Sequence, residues 1–135
     1  MPDLQRVYDE LCRRLSVHED VFDATYNLTD ANVAGGRKVD DPSPGTYLLL
    51  GAPTKGYPDG QLFAGVKLGK RYVSYYLMSV YMDPGRHPVS ADLRKRMQGK
   101  SCFNFTRVDD ALFDELADLT ARGRDLYAEQ GLLPR

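Results

Sequence analysis

The residues best placed to do chemistry lie in the middle of the chain, where nine bases meet only two acids between positions 60 and 107. The bases are Lys67, Lys70, Arg71, Arg86, Arg94, Lys95, Arg96, Lys100 and Arg107, and the acids are Asp83 and Asp92. Tyr72 and Tyr76 are interleaved with them, and Ser74, Ser101 and Asn104 add small polar groups. Ammonium and guanidinium groups beside tyrosines can hold an anion, because the cations supply charge-assisted hydrogen bonds while the rings stack or donate. The expected site is where a strand face carrying Tyr72, Ser74 and Tyr76 meets Lys67, Arg96 and Lys100, with Ser101 and Asn104 alongside. Its partner would be a small anionic molecule. A competing reading has the same bases solvated and paired with acids of the flanking segments.

Those flanks are acidic. Residues 1–59 hold ten acids and six bases, and residues 108–135 hold seven acids and three bases, which brings the whole chain to a net charge of −1. A near-neutral total excludes a surface that is cationic throughout, so nucleic acid is not an expected partner. Gly99-Lys100-Ser101 matches the end of a phosphate-binding P-loop, but Arg94 stands where the first glycine of that motif belongs. A nucleotide triphosphatase is therefore not expected. Ser101 and Asn104 have the plainer alternative of satisfying backbone groups at a turn.

A second constellation is acidic: His18, Glu19, Asp20 and Asp23, with Asp30 further on. Carboxylates with one imidazole suit a divalent metal, although His18 also fits a surface position near a helix end. Cys12 and Cys102 are too far apart for a zinc pair, and the count is low for a disulfide scaffold, so both are expected as reduced, packed thiols. The chain has only two histidines, His18 and His87, and neither belongs to a triad or nucleophile motif. His87, beside Pro88, reads as an exposed turn residue. No catalytic residue is assigned, and the expectation is a binding module rather than an enzyme.

These groups need a scaffold. Leu4, Val7, Tyr8, Leu11 and Leu15 recur at helical spacing, predicting an amphipathic helix from Pro2 to about Leu15. A long connection follows from Ser16 to Gly45, with a short strand or helical turn expected around Phe22–Leu28. Strands are expected over 46–51 and 62–68, with a tight turn at Gly69-Lys70. A third and longest strand is predicted from Arg71 to Met82, central because both of its faces are apolar or aromatic. Its tyrosines also offer a surface for a second copy of the chain. Ser90 then caps a short helix carrying Leu93 and Met97 and closed by Gly99. Cys102–Thr106 alternates as a strand, and Asp109 and Asp110 open a last helix that ends before Gly131.

This order predicts an α+β fold: one domain over residues 1–135, a two-layer sandwich with a largely antiparallel sheet of four or more strands. The terminal helices pack on one face. No apolar run is long enough for a membrane span, and the first residues do not read as a secretory leader, so the expected location is cytoplasmic with no membrane partner.

The run from Phe63 to Tyr81, the run Lys95-Arg96-Met97-Gln98-Gly99-Lys100-Ser101-Cys102-Phe103-Asn104-Phe105 and the helix segment Asp110–Leu116 carry a resemblance. Over about Gly45–Leu132 the chain resembles the YdhG-like domain family of bacteria, whose members are mostly uncharacterised. The resemblance implies a small frataxin-like α+β sandwich. One branch of the family has an iron-chaperone role, so the resemblance also implies iron as a candidate cargo for His18 and the acidic residues Glu19, Asp20 and Asp23.

Overall fold

Asp3 begins the first helix by accepting a hydrogen bond from the Arg6 backbone N–H at 3.1 Å, which satisfies one donor that the first turn leaves free. In the computed structural model, which describes residues 3–26 and 45–134, helix α1 spans Leu4–Leu15. It buries the stripe Val7, Leu11 and Leu15. A 3-10 turn over Ser16–Asp20 leads into the short strand β1, Asp23–Thr25, within the region expected to hold a strand or turn. Pro2, Asp30 and the rest of the long connection up to residue 44 lie outside the described residues.

Five further strands follow: β2 (Thr46–Leu50), β3 (Leu62–Leu68), β4 (Val73–Leu77), β5 (Met97–Gln98) and β6 (Cys102–Phe105). They form one sheet in the order β1-β2-β3-β4-β6-β5, with every neighbouring pair antiparallel. The expected α+β sandwich is the observed fold. Helix α4 (Asp110–Glu129), capped by the Asp109 side chain on Leu112 N–H at 3.2 Å, packs with α1 on one face of the sheet. Between the layers, Phe22 stacks on Phe63 with ring centroids 3.9 Å apart, and Tyr127 meets Phe63 edge-on at 5.1 Å. Burying one such ring fully contributes roughly 2–3 kcal/mol. Arg14 ties the two helices together outside the core, donating to Glu10 at 3.0 Å and Asp110 at 3.3 Å. No helix among the described residues is long and apolar enough to cross a membrane.

Two expected elements are corrected. The strand predicted to run to Met82 stops at Leu77, and Met78–Met82 forms helix α2. The reason lies in α4. Gly123 has no side chain, and a Cβ there would sit 2.2 Å from Ser79 Oγ, so the notch accepts a helical turn lying directly on α4. The second correction concerns the helix expected from Ser90 to Gly99. Ser90 does cap it, accepting from Leu93 N–H at 3.1 Å, but helix α3 spans only Ala91–Arg94. Met97 and Gln98 pair with Phe103 and Cys102 as β5, and Gly99, at φ 76°, turns the β5–β6 hairpin instead of ending a helix.

Several tyrosines are core residues. Thr120 Oγ1 donates to the Leu116 carbonyl at 2.7 Å, so Tyr75 is the donor in its 2.6 Å bond to that hydroxyl. Tyr127 donates to the Leu62 carbonyl, and Tyr47 to Glu19. The tyrosines left exposed include Tyr72 and Tyr81.

Candidate functional site: a cationic hairpin at one end of the sheet

The β3–β4 hairpin turns through Gly69–Tyr72, with Gly69 N–H donating to the Tyr72 carbonyl at 3.0 Å. A Cβ on Gly69 would lie 2.8 Å from that carbonyl oxygen, so this approach requires glycine. The turn presents Lys70 and Arg71 side by side, and Lys67 lies just before it on β3. With Tyr72, Ser74 and Tyr76 they line a cleft of about 290 Å³ in which no acid takes part.

Register explains the grouping. Lys67 is opposite Ser74, and Ser74 is opposite Asn104, so one row of side chains crosses β3, β4 and β6 on the face away from the helices. Val73, Tyr75 and Leu77 point the other way and are buried in the core. Ser74 donates to Asn104 Oδ1 at 2.7 Å, and Asn104 Nδ2 donates to Gln98 Oε1 at 2.7 Å. Cys102 Sγ also donates to Asn104 Oδ1, at 3.5 Å. Ser74 has therefore spent its proton within the sheet, while Asn104 gives one of its two amide N–H groups to Gln98. Both position the cleft, and Ser74 has no proton left for an anion. The available donors are Lys67, Lys70, Arg71 and the Tyr72 and Tyr76 hydroxyls. Burial, with a smaller contribution from Cys102, pushes the Tyr76 hydroxyl above its ordinary pKa, so it keeps the proton it would donate.

The structure does not bring all the expected residues together. Lys100 sits at the other end of the sheet, because the β5–β6 turn is level with the C-terminal end of β4. Four residue steps at ~3.4 Å each separate the ends of β4 by roughly 14 Å. Lys100 lines a different cavity, and Arg96 lines a small depression of about 30 Å³ with Thr106, Arg107 and Asp109. Ser101 serves the backbone: its carbonyl accepts Leu77 N–H at 2.9 Å and pins the end of β4. The site that remains is built from Lys67, Tyr72 and Tyr76, with Ser74 and Asn104 in support. Lys70 and Arg71 join it. The two-residue turn expected at Gly69-Lys70 is instead a four-residue turn, Gly69–Tyr72, between the paired Leu68 and Val73, and this takes Arg71 out of the strand and sets it beside Lys70.

The charges are sorted in space as well as along the chain. Of the nine central bases, Arg86 pairs with Glu129 and Asp83, and Lys95 lies 3.8 Å from Asp92. Lys67, Lys70, Arg71, Arg94, Arg96, Lys100 and Arg107 make no ion pair with a described residue. Pairing with the terminal helices accounts for Arg86 alone.

The acidic constellation is held by other partners. Arg124 donates to both oxygens of Asp20 at 2.9 Å and to His18 Nδ1 at 3.3 Å. Burial and the Arg124 charge together lower the His18 pKa. Glu19 accepts from Tyr47, and Asp23 lies on β1 opposite Leu50. Among the described residues no three His, Cys, Asp or Glu side chains converge on a point where a metal could sit. The described acidic residues, tied up by Arg124 and Tyr47, do not fit an iron ion.

Two further placements bear on catalysis. His87 is buried, only 2% exposed, where the sequence suggested an exposed turn. The 3-10 turn Pro84–Arg86 folds it inward, and its Nδ1 lies 2.8 Å from the Asp83 carbonyl. Burial raises the pKa of both thiols, that of Cys12 to about 11, so neither is an activated nucleophile.

The chain matches no family model, no curated protein and no solved structure. Function rests on the geometry.

Proposed function

We propose that this protein is a non-catalytic binding module of the YdhG-like type, and that its ligand is a compact anion held at the β3–β4 hairpin. One observation carries the reading. Three cations are gathered within five positions, none has an ion pair among the described residues, and no acid lines their cleft. Concentrating like charge is unfavourable in the free protein, and a bound anion relieves that repulsion. Lys67, Lys70 and Arg71 neutralise the anion, and Tyr72 and Tyr76 donate to its oxygens. Ser74 and Asn104 hold β4 and β6 in register beneath it.

A thermal-shift panel of inorganic phosphate, pyrophosphate, citrate and acetate tests this. Pyrophosphate should raise the melting temperature most, because stabilisation follows RT ln(1 + [L]/Kd), about 2.7 kcal/mol at one hundred times Kd. The shift should fade at high salt and disappear in Lys67→Ala/Lys70→Ala/Arg71→Ala. An unmoved melting temperature across the panel at low salt would rule the reading out. So would an equal shift in the triple variant.

A further inference from the structure

At the opposite end of the sheet lies a cavity of about 710 Å³, between α2, the Pro84–Arg86 turn, α3 and the β5–β6 turn. Its volume falls within the ~300–1,000 Å³ range of small-molecule sites. Val80, Met82, Val89 and Met97 give it apolar walls. Two exposed cations, Arg94 and Lys100, also line it, and no carboxylate does. The nearest acids in sequence are engaged elsewhere: Asp83 with Arg86, and Asp92 beside Lys95. Lys100 Nζ stands 5.9 Å from the centroid of the Tyr81 ring, itself 58% exposed. His87 forms part of the inner wall. A carbonyl only accepts, so Nδ1 carries the hydrogen donated to Asp83, and Nε2 is buried with no hydrogen-bond partner among the described residues.

We propose that this cavity is a second binding site, separate from the hairpin, for a small organic acid with an apolar body. The carboxylate sits between Arg94 and Lys100, and the body lies along Val80, Met82, Val89 and Met97. The two ends of the sheet therefore select by different physics. A compact, strongly hydrated anion gains nothing from apolar walls and stays at the hairpin. An aryl or medium-chain alkyl carboxylate gains at both ends of its own structure, because its body leaves water as its charge finds two unpaired cations. Tyr81, with Lys100 over its ring, supplies an aromatic edge for the ligand where the cavity opens. The inference does not depend on anion binding at the hairpin, since no lining residue is shared.

The chain has only two histidines, so the His87 ring resonances report on this cavity and the His18 resonances serve as an internal reference. The experiment titrates the full chain with 4-phenylbutyrate, with its uncharged analogue 4-phenylbutanol, and with acetate, following both rings and the backbone amides by NMR. 4-Phenylbutyrate should shift His87, Val89 and Lys100 saturably and leave His18 unmoved. Removing the charge or the apolar body should weaken binding at least about tenfold, the factor for losing one charge-assisted hydrogen bond or a comparable apolar contact. Arg94→Gln/Lys100→Gln should weaken 4-phenylbutyrate by a similar factor. Both residues are exposed, so the double variant keeps the fold. Lys67→Ala/Lys70→Ala/Arg71→Ala should leave its affinity within about twofold, as expected for distant sites. Acetate or the alcohol binding as tightly as the acid would overturn the proposal. Full affinity in Arg94→Gln/Lys100→Gln, or a His87 signal that never moves, would do the same.

Discussion

The two ends of strand β4 are built by opposite means. At its N-terminal end the chain reverses through Gly69–Tyr72, and the cations there come from adjacent positions in an open, polar cleft. At its C-terminal end residues 78–101 intervene before β6, and they wrap two short helices and a 3-10 turn around an apolar hollow. The first end is made by local geometry and the second by tertiary docking. The difference shows how one nearly neutral chain can present two cationic sites of unlike character: the same excess of bases is placed in water at one end and against methyl and thioether groups at the other.

The largest expected effect breaks the docked end alone. Gly123→Ala places a methyl group 2.2 Å from Ser79 Oγ and 2.9 Å from its Cβ, so α2 must move off α4. Overpacking of this kind costs about 1–3 kcal/mol, which urea denaturation would read as a lower midpoint. 4-Phenylbutyrate binding should weaken with it while pyrophosphate binding holds. Gly69→Ala is the counterpart at the hairpin, where the new Cβ meets the Tyr72 carbonyl at 2.8 Å. The turn must reopen, at about 1–2 kcal/mol, and pyrophosphate affinity should fall while 4-phenylbutyrate affinity remains.

A smaller change sharpens the assignment of roles. Ser74→Ala removes the donor to Asn104 and should lower stability by about 1 kcal/mol. Because that hydroxyl gives its proton to Asn104, pyrophosphate affinity should change by less than about threefold, as calorimetry would show. The smallest effect lies away from both ends. Arg13 and Arg14 donate to Glu10 and hold its carboxyl down at about 2. A depressed carboxylate stabilises the fold above its unfolded value near 4.5, and that contribution is lost as the pH falls toward about 2. The pair is partly exposed, so Glu10→Gln should cost only about 0.5–1 kcal/mol at neutral pH and flatten the acid limb of the stability profile. His18 has the same sign. Its lowered pKa favours the fold above the unfolded value near 6.5, and stability declines as acid protonates the unfolded chain first. Neither change should alter binding at either end of β4.

What could be foreseen from the residues follows the same division. Ser90 and Asp109 announce two helix starts because a cap is a local hydrogen bond, and each side chain makes it; Asp3, expected inside the first turn, turns out to be the cap of α1. Phe103 and Phe105 alternate into the core because β6 is flanked by regular pairing. The hairpin trio was legible for the same reason, although only Lys67 was singled out. Tyr75 to Tyr81 could not be divided into strand and helix by periodicity, since aromatic and β-branched residues suit either surface. The decision is made 44 positions away, where Gly123 leaves room for Ser79. Gly99 fits a helix end and a hairpin turn equally well until Met97 finds Phe103. Arg96 and Lys100 are close in sequence to Asn104 and Cys102, yet a two-residue strand and its turn carry their side chains to different surfaces. His87 looked exposed because proline-rich turns usually are, and only the inward 3-10 turn buries it.

The most direct test of the hairpin site is a pyrophosphate titration at low salt followed by backbone amide NMR. Saturable shifts confined to Lys67, Gly69–Tyr72, Ser74 and Tyr76, absent in Lys67→Ala/Lys70→Ala/Arg71→Ala, are the expected result. Shifts that grow linearly without saturating, or that spread evenly over every exposed lysine and arginine, would contradict it.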